Sequence, residues 1–382
     1  MHLRIGTSTR ASARDAVADA ARLALADCRS PAFAFVFSTR QYSADEVAAS
    51  LGDALGAVPH AGCVTPAILV GREIVEHGVA VGVIDSEHLR VRVGVAPLSD
   101  GARRAGRSAA LAALEGMPLP PTNRSRAMIL FASTTAGDAA EVLHGALGVA
   151  GAGVAWGGGG TGEGAAQLAD RRALHDHVVA ITLDGHARIG AGLQHGWQPT
   201  SAPAMVTRVV GPVVERLEDQ TAFAIYRAAA VELGLDVALE NFDAFAMTHP
   251  LGIPQADGEY LIRDPVSVDA SGALRFMAAL PDGALVRVMQ GTPNMLVAAA
   301  QIAARMARDD AGGSLGGALV FDCISRYLLM RDRLGDELAV CQNALGTDVP
   351  LFGCLTFGEV GAFGARMPQF HNKTMVVLAL PA

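Results

Sequence analysis

The sequence predicts an α/β fold in which strand-helix-strand units recur within mixed sheets, organised as two domains. The chain has 382 residues and 51% of them are apolar, so it holds enough apolar material for more than one hydrophobic core. Three apolar runs follow one pattern, each leading into a helical stretch and then into a second apolar run. These first runs cover residues 32–37, 127–131 and 317–321.

Each of the three segments has the pattern of a βαβ unit. The runs are continuously apolar rather than alternating, which is typical of strands covered on both faces of a sheet. Ser43 and Asp138 stand where helix N-caps are expected, and Glu46 and Glu141 follow as capping-box partners. The third helix is expected around Asp336. The second strands are then expected within residues 58–65, 153–161 and 349–356.

The stretches outside these segments supply further predicted elements. Helices are expected over residues 11–28, 215–233 and 294–308. Residues 77–84 and 89–95 are expected to form an antiparallel pair, and residues 178–184 and 188–192 a hairpin that turns on Asp184-Gly185. A composition shift between Pro199 and Pro212 predicts a domain boundary, which gives domains at residues 1–205 and 206–382.

Charge and cysteine content exclude several classes of function. The net charge is −8, no basic run is present, and Lys373 is the single lysine, so nucleic-acid binding is not expected. No stretch has the apolar density of a membrane span, and the first residues do not form a signal-peptide pattern. The five cysteines include no CxxC pair and match no zinc spacing, which favours a reducing, cytoplasmic location without a metal site.

Small polar side chains stand at the predicted strand ends. Cys63 and Thr65 end one second strand, Cys354 and Thr356 end another, and Cys323 ends a first strand. In open α/β sheets, ligands bind beyond the carboxyl ends of strands, where glycine lets backbone amides approach and helix N-termini favour anions. We therefore expect these turns to line a common cleft for a small molecule.

A family resemblance enters at the predicted domain boundary. The motif Gly196-Trp197-Gln198-Pro199, followed by a Val-Thr strand and a helix, resembles the junction of the N-terminal and C-terminal FIST domains. The order and spacing of further blocks extend the resemblance to roughly residues 30–375. Those blocks lie at residues 249–252, 260–263, 269–274, 320–326, 350–361 and 370–374.

The resemblance implies a non-catalytic intracellular sensor that binds a small molecule, amino acids among the proposed ligands. It also implies a separate signalling partner, such as a kinase or a cyclic-nucleotide enzyme. Some relatives are haem proteins that sense nitric oxide, so haem stays an open alternative. The chain departs from the family in two turns: the first lacks the acid that relatives carry, and the third has Leu355 and Phe357 where relatives have tyrosines.

Several residues are candidates for contact with this ligand. Arg263 and Arg326 are set among apolar residues, where a guanidinium usually pairs with a carboxylate, either of the protein or of a ligand. Glu359 follows a glycine in the third turn and could bind an amine or cap a helix. The predicted ligand-binding residues are Cys63, Thr65, Arg263, Cys323, Arg326, Cys354, Thr356 and Glu359.

Two other possibilities remain open on the sequence. Haem requires an axial ligand such as histidine, and His195, His249 and His371 all lie within the resemblance blocks, with nothing to choose among them. An uncharacterised enzyme with Cys323 or Cys354 as nucleophile is the other alternative, although no histidine stands close to either in sequence. No catalytic residue is predicted.

Overall fold

The computed structural model describes residues 1–118, 125–134, 138–256 and 258–382. Its elements repeat three times in the order strand, helix, strand, helix, strand, hairpin, strand, and we call the repeats units one, two and three. Unit one contains β1 (His2–Ser8), α1 (Ala13–Leu25), β2 (Pro31–Thr39), α2 (Ala44–Leu55), β3 (His60–Thr65), β4 (Ile68–Val70), β5 (Glu73–Val75) and β6 (Val79–Asp85).

Unit two repeats this order without interruption. Its elements are β7 (Arg90–Pro97), α3 (Ala102–Leu114), β8 (Arg126–Ser133), α4 (Ala139–Ala150), β9 (Ala155–Thr161), β10 (Gln167–Ala169), β11 (Arg172–Leu174) and β12 (His177–Asp184). The predicted N-caps are confirmed: Ser43 Oγ accepts from the Glu46 N–H, and the Asp138 carboxylate accepts from the N–H groups of Ala140 and Glu141.

Unit three opens with β13 (Gly190–Gln194) and is then interrupted by a module that we call the insert. The insert contains β14 (Gln198–Pro199), β15 (Ala204–Val210), β16 (Val213–Leu217), β17 (Gln220–Thr221), α5 (Ala222–Glu232), α6 (Phe242–Thr248), β18 (Leu251–Pro254), β19 (Tyr260–Arg263), β20 (Pro265–Val268), β21 (Leu274–Phe276) and β22 (Leu285–Gln290). Its strands form one sheet, against which α5 and α6 pack.

The chain then completes unit three. The remaining elements are α7 (Pro293–Ala311), β23 (Leu315–Cys323), α8 (Ile324–Met330), α9 (Leu334–Leu345), β24 (Leu351–Thr356), β25 (Glu359–Gly361), β26 (Gln369–His371) and β27 (Met375–Pro381). The predicted α/β fold with repeated units in mixed sheets is confirmed. The predicted boundary between residues 205 and 206 stays a prediction, and this point lies inside β15.

The three units exchange their hairpins in a cycle. The hairpin of unit two pairs with β3 of unit one, that of unit three pairs with β9 of unit two, and that of unit one pairs with β24 of unit three. Each of the three sheets therefore contains strands from two units, and one hydrophobic core runs through all of them.

Three glycines occupy equivalent places in the second strands of the units and lie close to the backbone of the first strands. A Cβ atom at these positions would lie within about 2 Å of a carbonyl oxygen on the neighbouring parallel strand, so only glycine fits. All three lie inside β3, β9 and β24, within the ranges expected for the second strands. The glycines and the residues whose oxygens they face are Gly62 with Val36, Gly158 with Leu130, and Gly353 with Val320.

Three local predictions are wrong. Strand β6 does not pair with β7, and β12 does not pair with β13, because in both cases the first strand ends one unit and the second begins the next unit in another sheet. The helix expected over residues 215–233 starts only at Ala222, capped by Thr221, because the alternating apolar residues before it form β16. None of the described helices is long and apolar enough to cross a membrane.

Candidate functional site

The strand ends of the three units meet in a closed apolar centre. Phe131 lies in the middle, with ring centroids 6.0 Å from Phe37 and 5.9 Å from Phe321. Each of these phenylalanines lies in the first strand of its parallel pair and stands opposite the corresponding residue of the second strand. The three therefore occupy equivalent positions in the units. Cys63 and Cys354, two of the predicted ligand-binding residues, belong to this centre and are buried.

The cysteines at the strand ends are buried thiols rather than exposed nucleophiles. Burial raises the pKa of Cys354 well above the usual range, with a smaller contribution from the neighbouring Cys63 thiol. Burial also raises the pKa of Cys323, and the charge of Glu359 adds to this effect. A thiol that stays protonated is a poor nucleophile, so this environment does not activate either cysteine for catalysis.

The predicted threonines form hydrogen bonds within the protein. Thr65 Oγ1 lies 2.8 Å from the carbonyl oxygen of Leu355 and 3.0 Å from that of Ala67, which ties unit one to unit three. Thr356 Oγ1 donates to Glu359 Oε1 over 2.8 Å. Both threonines are only 1% exposed, so the structure places them in the core rather than on an open cleft.

Glu359 is a fully buried carboxylic acid. It accepts hydrogen bonds from Thr356 and from the Thr374 N–H at 3.2 Å, yet burial raises its pKa to about 8. The equivalent position of unit two is Gln167, whose amide donates to Thr161 Oγ1 over 2.6 Å. An uncharged side chain thus occupies the same place in the neighbouring unit.

Arg326 is surrounded by acidic side chains of its own unit. Its Nε lies 3.1 Å from Asp322 Oδ1, and its terminal nitrogen also pairs with Glu337. All three side chains are fully buried, and burial raises the pKa of both Asp322 and Glu337. We call Asp322, Arg326, Glu337 and Glu359 the charged cluster, in which one guanidinium faces three carboxyl groups.

Arg263 connects the insert to unit three. Its guanidinium donates to the carbonyl oxygens of Ile262 at 3.0 Å, Ala279 at 3.1 Å and Phe370 at 3.1 Å. Burial lowers its pKa to about 10, and the charge of Asp138 only partly opposes this shift. Arg263, which was predicted to contact a ligand, therefore binds backbone carbonyl groups at the border between the insert and unit three.

A salt bridge at the same border involves residues that the sequence pattern did not single out. Lys373 Nζ lies 3.0 Å from Asp264 Oδ1 and donates to the Met247 carbonyl at 3.1 Å. Ser325 Oγ donates to the other Asp264 oxygen over 2.6 Å, and the Lys373 ammonium lies 5.5 Å from the Trp197 ring centroid. The signal that could have identified this contact is that Lys373 is the only lysine in the chain.

Two of the three candidate haem-ligating histidines lie in environments that are unsuited to haem ligation. His195 Nδ1 accepts the Trp197 N–H at 2.8 Å, so in the neutral ring the proton sits on Nε2. His371 Nε2 faces the Gly361 carbonyl at 3.2 Å and must donate to it, and the residue is 1% exposed within the core. Burial lowers the pKa of both to about 3, so both are neutral.

His249 presents the opposite tautomer. Its Nδ1 lies 2.8 Å from Thr248 Oγ1 and 3.2 Å from the Phe245 carbonyl oxygen. Because the Thr248 hydroxyl donates its one proton to that carbonyl at 3.1 Å, both oxygens can only accept from the ring, so Nδ1 carries the proton and Nε2 holds a lone pair. Nε2 has no hydrogen-bond partner, and burial lowers the pKa of the ring. The imidazole stacks on the Phe245 ring with centroids 4.1 Å apart, which fixes its orientation.

His249 lines a groove between the insert and unit three, which we call the α6–α7 groove. Its volume is ≈ 550 Å³, within the range of roughly 300–1,000 Å³ that small-molecule sites occupy. Phe245 and Val237 of the insert form apolar walls, and Leu329 of α8 faces them. Thr292, the N-cap of the 19-residue helix α7, forms the polar end of the groove.

Comparison with protein families gives two matches that together cover most of the chain. The FIST N domain model matches residues 32–220, and the FIST C domain model matches residues 222–362. The comparison with curated proteins finds no match to this chain.

The solved structures that match this chain include two cyanuric acid hydrolases and a synthase. A cyanuric acid hydrolase from A. caulinodans is 15% identical, with a TM-score of 0.28 over 49% of this chain and 72% of its own. Another cyanuric acid hydrolase is 11% identical, with a TM-score of 0.33 over 99% of both chains. Phosphoribosylformylglycinamidine synthase II from Thermotoga maritima is 10% identical, with a TM-score of 0.22 over 99% of this chain and 71% of its own. TM-scores this low indicate neither a common fold nor a common activity.

Proposed function

Since this chain belongs to the FIST family, we propose that it is a non-catalytic sensor that binds a small molecule in the α6–α7 groove. The observation that carries the proposal is His249, a buried imidazole whose Nε2 has no partner and whose ring lines an apolar groove. A buried polar atom without a partner costs free energy, and a ligand that supplies the missing contact recovers it.

The position of the groove suggests how binding would be transmitted. Its walls come from the insert on one side and from α7 and α8 of unit three on the other. Ser325 and Leu329 both belong to α8, so the helix that faces the ligand also contacts Asp264 of the insert. A ligand that packs differently against the two sides would shift the balance between arrangements of the insert and the body.

The protein that would receive the signal is part of the same proposal. We propose that the sensor acts in the cytoplasm on a separate signalling protein, such as a kinase or a cyclic-nucleotide enzyme. This part rests on the family relation alone.

Obstruction of the groove tests the proposal. Ala244 lies on the exposed side of α6 and lines the groove, so Ala244→Trp should fill it without disturbing the core. The matched control is Ala228→Trp, an exposed alanine of α5 that lines another cavity of the insert. In a fragment screen by saturation-transfer NMR, we expect compounds that bind wild type and Ala228→Trp to lose binding to Ala244→Trp. If binding survives in Ala244→Trp, the groove is not the site.

Haem is a second candidate ligand, favoured by the tautomer of His249. A neutral imidazole that donates Nδ1–H to a carbonyl and keeps its Nε2 lone pair is the form that ligates haem iron. His249 would hold the iron, while Phe245, Val237 and Leu329 would exclude water from the ring. Haem would supply a binding site for a diatomic gas.

Titration with haemin separates the two candidates. If haem is the ligand, a Soret band should form in wild type and in His144→Asn, an exposed control, and be lost in His249→Asn. The absence of a Soret band in wild type would exclude haem and leave the general sensor proposal to the obstruction experiment.

A further inference from the structure

A polar cavity lies on the border between units one and two. Its volume is ≈ 470 Å³, within the range of small-molecule sites, and its described lining residues differ from those of the α6–α7 groove. Unit one contributes residues 56–60, at the connection between α2 and β3, and unit two contributes residues 91–93 of β7 and the turn between β10 and β11. The lining residues with polar or charged side chains are His60, Arg92, Asp170 and Arg171.

His60 occupies a position that is apolar in the other two units. Counted back from the phenylalanines of the apolar centre, its equivalents are Trp156 in unit two and Leu351 in unit three. Both of these apolar side chains are buried. A histidine in their place carries two ring nitrogens into the protein, and a buried polar atom costs free energy unless it has a partner. The packing of the units alone therefore does not call for a histidine here.

One ring nitrogen of His60 has a partner and the other has none. Nδ1 lies 2.9 Å from the Val58 carbonyl oxygen, which can only accept, so the neutral ring carries its proton on Nδ1. Nε2 then holds a lone pair, and no described residue provides a hydrogen-bond donor for it. The residue is only 8% exposed. A hydroxyl group of a ligand in the cavity would supply the missing donor.

Arg171 is fixed against the C-terminal end of α2. Asp170 and Arg171 form the two-residue turn between β10 and β11, and both take the positive φ that such a turn requires, 51° and 60°. A terminal nitrogen of Arg171 donates to the Gly56 carbonyl at 3.1 Å. A Cβ on Gly52 would lie 2.9 Å from the Arg171 side chain, so this glycine leaves the space that the side chain occupies. A guanidinium has five N–H groups, so this single bond leaves donors for a ligand.

The charge balance of the lining is positive. Arg92 is exposed on β7 and pairs with no acid among the residues that the structure describes. Asp170 is the one acid in the described lining, and its carboxylate lies 3.8 Å from the Arg172 guanidinium. Arg92 and Arg171 come from different elements, so together they suit an anion with several oxygen atoms, such as phosphate. A carboxylate, by contrast, is satisfied by a single guanidinium.

We propose that this cavity binds a small phosphate monoester that carries a hydroxyl group near its phosphate. The phosphate contacts Arg92 and Arg171, and the hydroxyl donates to His60 Nε2. This site is separate from the α6–α7 groove and does not depend on the function proposed there. The ester group lies against the apolar residues of the lining, which are Ala57, Val58, Pro59, Val91 and Val93.

Isothermal titration calorimetry with glycerol 3-phosphate, at neutral pH and low salt, tests the proposal. We expect saturable binding to wild type. Propyl phosphate keeps the charge and the chain length but lacks the hydroxyl groups, so it should bind about three- to tenfold more weakly because one hydrogen bond is lost. Glycerate has a carboxylate instead of the phosphate, and glycerol has no charge. Each of these two should bind at least about tenfold more weakly than glycerol 3-phosphate.

Two variants test the assignment of the residues. His60→Leu introduces the residue type that Leu351 has at the equivalent position of unit three, and it should bind glycerol 3-phosphate and propyl phosphate equally. Arg92→Gln should weaken the binding of both phosphates by about tenfold or more. The matched control is Arg4→Gln, because Arg4 has in β1 the position that Arg92 has in β7 but lies outside this cavity. It should leave binding unchanged.

Four results would overturn the proposal. Equal affinity of wild type for propyl phosphate, or a preference that survives in His60→Leu, would show that His60 does not receive the hydroxyl. Equal weakening by Arg4→Gln and Arg92→Gln would show general attraction of anions rather than binding in this cavity. Glycerate bound as tightly as glycerol 3-phosphate would contradict a phosphate site, and the absence of saturable heat would contradict any such ligand. If thermal unfolding shows that His60→Leu does not fold, the two phosphates compared in wild type still decide the hydroxyl contact.

Discussion

The charged cluster and the α6–α7 groove hold two kinds of residue that looked alike in the sequence. Arg326 and Glu359 of the cluster are fully buried, and each pairs with other groups of the protein: Arg326 with the Leu296 carbonyl and Glu337, and Glu359 with Thr356. His249 of the groove is also buried, but its Nε2 has no partner. The difference shows that an isolated charged residue in an apolar run indicated internal pairing, while His249 combines a ring nitrogen that has no partner with a position on a groove.

The largest expected effect is loss of the cation in the charged cluster. Arg326→Met leaves Asp322, Glu337 and Glu359 buried with no cation among them. Removal of one partner from a buried ionic group typically costs about 3–5 kcal/mol. We expect the free energy of unfolding, measured with urea, to fall by this order of magnitude.

The matched control for this variant is Arg263→Met. Arg263 is also buried, but it donates to carbonyl groups rather than to carboxylates, so its removal strands no charge. We expect a smaller loss, of about 1–3 kcal/mol. Equal losses in the two variants would contradict a special role for the charged cluster.

The next effect is a change in the pH dependence of stability in Glu359→Gln. The pKa of Glu359 is raised from 4.5 to about 8, so between these values the folded protein holds a proton that the unfolded chain releases. The contribution of Glu359 is therefore complete below pH 4.5 and is lost as the pH rises toward 8. A glutamine side chain does not titrate, so Glu359→Gln should not lose stability in this way as the pH rises. Gln167 occupies the equivalent position of unit two.

Urea unfolding at several pH values checks this prediction. The advantage of wild type over Glu359→Gln should shrink by more than about 1 kcal/mol between the two ends of the window. Glu359 also raises the pKa of Asp322, so the difference between the two curves reports Glu359 together with its effect on Asp322. Parallel curves for the two proteins would show that Glu359 is ionised in the fold at neutral pH.

The repeat itself could be predicted from the sequence because it depends on local signals. Continuous apolar runs specify buried strands, and Ser43 and Asp138 cap the helices that follow, as the structure confirms. The exchange of hairpins could not be predicted, because β4 pairs with β24 across most of the length of the chain. Such pairings depend on tertiary packing and leave no pattern in neighbouring residues.

The candidate site was harder to predict from the sequence, for a related reason. Thr65 and Cys354 do stand at strand ends, but the exchanged hairpins and the phenylalanines cover these ends. Among the histidines, the deciding feature is which ring nitrogen faces a carbonyl group, and that depends on local geometry. The inserted position of residues 198–290, which creates the α6–α7 groove, is likewise visible only once β13 is seen to pair with β27.

A moderate effect is expected at the contact between units one and three. Thr65→Val keeps the shape of the side chain but removes the hydroxyl that faces the Leu355 carbonyl at 2.8 Å. A buried carbonyl that loses its donor costs about 1–3 kcal/mol. The exposed Thr347→Val is the control and should change the free energy of unfolding by less than about 0.5 kcal/mol. Equal values for the two would show that the hydroxyl of Thr65 does not hold the units together.

The smallest effect on stability is expected in the groove. In His249→Asn the amide nitrogen can take the place of Nδ1 and donate to the Phe245 carbonyl, while Nε2 is lost. Because Nε2 has no partner in the protein, the main cost is the lost stacking on Phe245, about 0.5–1.5 kcal/mol. Ligand binding should be lost all the same, which is the reverse of the result expected for Arg326→Met. If His249→Asn destabilised the fold as strongly as Arg326→Met, the imidazole would be a structural group like those of the charged cluster.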